Sequence, residues 1–60
     1  MTFIEIDKIL TDNGWVKKAT RGSHVHYEHP KKPGKVTVPK HGGDIPNGTL
    51  NAIYKQAGLK

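Results

Sequence analysis

Arg21-Gly22-Ser23-His24-Val25-His26-Tyr27 is the stretch on which the rest of the chain is arranged. A glycine breaks one element and a strand-like alternation follows it at once. Side chains on a strand alternate between faces, so Val25 and Tyr27 share one side and His24 and His26 the other. Valine and tyrosine suit a core. Two neighbouring imidazoles among lysines do not, and function is to be sought on their side.

Working outward, Pro30-Lys31-Lys32-Pro33-Gly34 reads as a turn, because proline cannot donate to a strand ladder and glycine permits positive φ. Beyond it Lys35-Val36-Thr37-Val38 alternates as a third strand with both valines inward, and Pro39 ends it. Before the stretch, residues 15–20 read as a first strand and residues 23–29 as the second, joined tightly through Arg21-Gly22. At the start, Thr2 and Glu5 have the spacing of a capping box. Phe3, Ile6, Ile9 and Leu10 recur at helical spacing, and Asn13-Gly14 closes that helix. Residues 40–47 form a loop. A second helix follows, capped by Asp44 or Asn47, with Leu50, Ile53, Tyr54 and Ala57 as its core stripe and Gly58 as its stop. The resulting class is α+β, in the order α-β-β-β-α. Both helices are expected on one face of a three-stranded antiparallel sheet, with His24 and His26 facing out on the other.

Sixty residues are expected to form one domain, 1–60, and with only 33% hydrophobic residues it can bury one small layer. The absence of cysteine removes disulfides and thiolate metal sites. The first residues lack the basic start and apolar run of a signal peptide, and no apolar run approaches a membrane span, so a cytoplasmic location is expected. The net charge of +5 is unevenly placed. Glu5, Asp7 and Asp12 outweigh Lys8 near the start, whereas Lys17, Lys18, Arg21, Lys31, Lys32, Lys35 and Lys40 crowd the middle against Glu28 alone. Charge clustered in this way is the footprint of a polyanion binder, although lysines also simply solubilise small domains.

Several short motifs occur in a fixed order: Gly14-Trp15 after the first helix, Gly22-Ser23-His24 opening a strand, Val36-Thr37-Val38-Pro39 with His41, and Gly48-Thr49-Leu50 through Lys55-Gln56-Ala57-Gly58. Together they resemble the HicA toxins of prokaryotic type II toxin–antitoxin pairs, over essentially the whole chain. No one motif is specific; their joint occurrence in a short basic chain is. The resemblance implies a double-stranded-RNA-binding-like α-β-β-β-α fold, endoribonuclease activity on mRNA and inhibition by a HicB-type antitoxin. It also implies that the histidine of Gly-Ser-His, here His24, is catalytic. The family varies at the position of His26, which argues against an essential role there.

The chemistry agrees. RNA is cut without metal or water when its own 2′-hydroxyl attacks the adjacent phosphate, given a base, an acid and positive charge on the phosphate oxygens. A histidine titrates in the required range, and a positioned acid or base contributes roughly 10² to 10⁴-fold. His24 is the expected base or acid. Arg21 and Lys40 are the foremost phosphate contacts, with Lys17, Gly22, Ser23 and His26 as further RNA contacts. The plainer readings are a turn role for His29, a loop hydrogen bond for His41, and core roles for Trp15, Tyr27 and Tyr54. The four histidines raise a metal site, since His24, His26 and His29 with His41 could supply imidazole ligands and an i,i+2 pair on a strand can chelate. Yet no carboxylate or cysteine completes a familiar spacing and His29 should project away from His24 and His26, so no metal or other cofactor is expected. The alternative function is a catalytically inert RNA-binding module of the same fold. Against it stand the histidine pair and the expectation that an adapter module is attached to something larger, whereas this chain ends at its second helix.

Overall fold

Thr2 and Glu5 close the capping box that starts helix α1 (Phe3–Asp12): Thr2 N–H donates to Glu5 Oε1 at 3.1 Å and Glu5 N–H to Thr2 Oγ1 at 3.4 Å. The bond from the Thr2 backbone holds the Glu5 carboxyl below its usual range. In this computed structural model, which describes residues 1–40 and 42–59, α1 is followed by β1 (Val16–Arg21), β2 (His24–Glu28), β3 (Lys35–Pro39) and α2 (Asn47–Gln56). The three strands form one antiparallel sheet in the order β1-β2-β3.

One face of the sheet is buried. Val25 and Tyr27 of β2 and Val36 and Val38 of β3 pack on Ile6 and Leu10 of α1 and on Ile53 and Ala57 below them. Burying each of the valine, leucine and isoleucine side chains contributes about 1.5–3 kcal/mol, which gives this layer its cohesion. Trp15 and Ile45 complete it from outside the regular elements. Ile45 was not expected in the core; its N–H donates to the Met1 carbonyl at 2.7 Å, which draws the loop inward. Since Ile45 is held in that way, α2 begins immediately after Pro46, which takes the cap position without a side-chain cap bond. Neither Asp44 nor Asn47 caps the helix: Asp44 faces the Met1 amine at 3.7 Å, and Asn47 is already the first helical residue.

Both helices end in the same way. In α1 the Trp15 N–H reaches back to the Leu10 carbonyl and the Gly14 N–H to that of Thr11. In α2 the Leu59 N–H reaches Tyr54 and the Gly58 N–H reaches Lys55. This pair of backward bonds is the Schellman motif, and it needs a left-handed residue, which Gly14 supplies at φ +92°. Trp15 therefore belongs to the end of α1, and the first strand starts at Val16 instead of at residue 15. At the other helix the Lys32 ammonium donates to the Ala57 carbonyl at 3.2 Å, favourable at a helix C-terminus. Lys32 is thus occupied in the fold.

His29 does more than fill a turn. Its Nε2 lies 3.0 Å from the Asn13 carbonyl and its Nδ1 accepts the Lys31 N–H at 3.0 Å. A carbonyl only accepts and a backbone N–H only donates, so the two partners assign the neutral Nε2–H tautomer. The ring stands edge-on to Trp15 with centroids 5.2 Å apart. His29 thereby staples the end of α1 to the turn after β2. A Cβ on Gly14 would lie 2.7 Å from His29 Nε2.

Tyr27 carries the second link between α1 and the sheet. Its hydroxyl donates to Asp7 Oδ1 at 2.5 Å, and the Lys17 ammonium stands 3.7 Å from the same oxygen. Burial, and then the Asp7 carboxylate, push the Tyr27 phenol well above its ordinary value.

Two outcomes follow from these links. Gly14→Ala is expected to lose about 2 kcal/mol, half from the left-handed backbone and half from displacing His29. In a His29→Ala background only the backbone part, about 1 kcal/mol, should remain. Denaturant melts of the four proteins in this cycle measure the difference, and full additivity would dismiss the staple. For Tyr27 the sign runs with alkali. Unfolded tyrosine ionises near pH 10 while Tyr27 in the fold keeps its proton, so its contribution is whole below about pH 10 and fades above it. Stability measured between about pH 9 and 11 should therefore fall less steeply in Tyr27→Phe than in the wild type.

Candidate functional site

The turn between β1 and β2 contains only Gly22 and Ser23. Gly22 has φ +58° and Ser23 has no positive φ, which suits a type II′ hairpin turn with glycine at its first central position. Arg21 and His24 flank this turn as direct cross-strand partners, and His24 pairs on its other edge with Pro39. The next residue, Lys40, donates its backbone N–H to the Ser23 carbonyl. Proline has no N–H, so it is Lys40 that continues bonding past the end of β3. Arg21, Gly22, Ser23 and His24 are thus gathered at one corner of the sheet, and both Arg21 and His24 are exposed.

His26 lies two residues further along the same outward side. Its Nδ1 is 3.0 Å from Thr37 Oγ1 on the neighbouring strand, so the ring is held while Nε2 makes no hydrogen bond among the described residues. Beside it is an open hollow of about 400 Å³ walled by Lys18, Arg21, His26, Glu28, Lys35 and Thr37. Three cations against one carboxylate make this wall positive.

Lys18 occupies that wall because β1 is irregular. The register runs Arg21 to His24 and Ala19 to His26, then jumps to Lys17 opposite Tyr27. Lys18 is the extra residue of a β-bulge, and such an insertion reverses the facing of everything before it. Regular alternation from Arg21 through Ala19 would have put Lys17 beside the histidines. Instead Lys17 turns to the helical side, against Asp7 and with its ammonium 5.6 Å from the centre of the Phe3 ring. The Lys40 ammonium is also at Phe3, 5.7 Å from the ring centre.

Of the residues singled out from the sequence, the structure brings together Arg21, Gly22, Ser23, His24 and His26. It carries the ammonium groups of Lys17 and Lys40 elsewhere. Lys18, Lys35 and Thr37 were not singled out. The clean alternation of β3 already pointed Lys35 and Thr37 outward, whereas nothing local announces the bulge that exposes Lys18 on this side. His29 projects to the helical side, away from the other two histidines, and His41 lies outside the described residues. Among the described residues no three metal-ligating side chains stand together, and no helix is long and apolar enough to cross a membrane.

An α+β fold with two helices on one sheet face and a basic, histidine-bearing opposite face is compatible with the double-stranded-RNA-binding class of folds. Residues 4–59 match the family described as the HicA toxin of bacterial toxin–antitoxin systems, and the chain belongs to that family. It is therefore a toxin whose counterpart is an antitoxin. No individual curated protein matches the chain.

Proposed function

We propose that this toxin is an endoribonuclease that cuts mRNA in the cytoplasm, with His24 performing one of the two proton transfers. The observation that supports this best is the corner itself: an exposed histidine directly opposite Arg21, which walls the neighbouring hollow together with Lys18 and Lys35. In the reaction the 2′-oxygen of the RNA loses its proton and attacks the neighbouring phosphorus. The 5′-oxygen departs and takes up a proton, leaving a 2′,3′-cyclic phosphate. Arg21 is suited to the charge that grows on the phosphate oxygens during that attack. Lys18 and Lys35 are suited to flanking phosphates, where charge positions a strand without reading its sequence. His26, fixed by Thr37, contacts the RNA beside the reacting group. Gly22 and Ser23 act by shaping the turn and by bringing backbone close to the strand.

A HicB-type antitoxin is proposed to inhibit by laying a complementary acidic surface over the same face, since opposite potentials steer association and fix orientation.

The test is His24→Ala. Its side chain is exposed, so a melt should move by no more than about 0.5 kcal/mol, as at ordinary surface positions. Cleavage of an RNA substrate should fall by roughly 10²-fold or more, and expression should no longer arrest growth. His26→Ala, the comparison, should retain most of its cleavage. A folded His24→Ala protein that cuts at the wild-type rate would defeat the assignment, and a wild type that binds RNA without cutting it would favour the inert module. Because the nucleophile is internal to the RNA, cleavage is also expected to persist in excess chelator; loss that a defined divalent ion restores would replace this mechanism.

A further inference from the structure

The two lysines that leave the histidine face converge on one aromatic ring. Phe3, at the start of α1, has the Lys17 and Lys40 ammonium groups 5.6 and 5.7 Å from its ring centre. It lines an open hollow of about 380 Å³ together with Thr2, Ile4, Lys40, Gly42 and Gly43. That volume lies within the roughly 300–1,000 Å³ of small-ligand clefts. Ile4 is 79% exposed, the most exposed large apolar side chain among the described residues, and the fold gives it nothing to pack on. Gly42 and Gly43 have open space where a Cβ would stand, and these two residues present only backbone to the hollow.

Apolar floor, bare backbone and two ammonium groups are the components of a site for one nucleotide of a single strand. Base and ribose can lie on Phe3 and Ile4, since a base offers a flat face to an aromatic ring whatever its identity. The phosphate can be met by the ammonium groups. Cation–π attraction already holds both near the ring, so less freedom is lost when the anion arrives. Lys17 shares its charge with Asp7, whereas Lys40 forms no ion pair among the described residues and is the better placed of the two. The hollow is also joined to the catalytic corner, because Lys40 is bonded through its backbone to Ser23, the residue before His24.

We propose that this hollow is a second RNA subsite, holding a nucleotide of the same strand whose cleaved phosphate sits at His24. The strand would pass around the end of the sheet from the histidine face to the helical side. The proposal rests on the ribonuclease reading for the identity of its ligand, but its site is separate from His24.

The experiment uses the His24→Ala chain to prevent cleavage, with single-stranded RNA of five and ten nucleotides as probes. Binding is followed by anisotropy across a salt series, and backbone amides by nuclear magnetic resonance. Lys40→Gln is expected to weaken decamer binding about 5- to 10-fold and to reduce the salt slope by about one counterion. Lys55→Gln removes the same charge from α2 and should weaken it less than about twofold. The amides of Ile4, Gly42 and Gly43 should shift with RNA, more with the decamer than with the pentamer. Equal effects of Lys40→Gln and Lys55→Gln would overturn the subsite, as would shifts of these amides with an acidic peptide and not with RNA. If the wild type cuts RNA while the hollow stays silent, only the subsite fails. If RNA shifts the hollow while the wild type never cuts, the subsite stands and the catalytic reading falls.

Discussion

β2 alone among the three strands is paired along both edges, so its alternation is imposed on its neighbours. Val25 and Tyr27 must face the helices because the buried layer is built on them, and His24 and His26 must then face away. A slip of one residue would bury two imidazoles and expose a tyrosine and a valine, so hydrophobic burial itself fixes where the histidines stand. The candidate site is in this sense the reverse side of the core. Two helices of ten residues each cover one face, and the other remains available for binding.

The polar links keep that arrangement in register. Tyr27 reaches α1 through Asp7, His29 ties the end of α1 to the turn after β2, and Lys32 holds the end of α2. Each link joins elements distant in sequence at a place where a helix terminus or a buried hydroxyl requires a partner. Several residues that count as charge or histidine in the composition are consumed in this way. The cationic surface left free is correspondingly smaller than the net charge suggests, and five of its cations stand in two groups on opposite sides of the sheet.

That division bears on mechanism. Arg21, Lys18 and Lys35 accompany the histidines, while Lys17 and Lys40 accompany Phe3. An RNA strand bound as proposed would meet both groups by bending around the sheet corner, with the phosphate proposed to react near the bend. In the proposed reaction, proximity of this kind would favour attack by the 2′-oxygen when the bound geometry approaches the reactive one.

The sequence by itself determined the order of elements, the inward and outward sets of β2 and β3, both helix stops and the corner at Gly22-Ser23-His24. These depend on local rules: period-two alternation, helical spacing, capping chemistry and the φ that only glycine adopts cheaply. The family resemblance singled out His24 on the same residues. Tertiary structure decided what local rules do not carry. A bulge is the insertion of one residue relative to a partner strand, and no single strand's own sequence specifies its partner's register; Lys18 therefore replaced Lys17 on the histidine face. Ile45 entered the core, and α2 began without Asp44 or Asn47 as its cap, because of a backbone bond to Met1, far off in sequence. The meeting of Lys17 and Lys40 at Phe3 likewise depends on folding, since it requires α1, β1 and the end of β3 to be packed together before three scattered residues become one place.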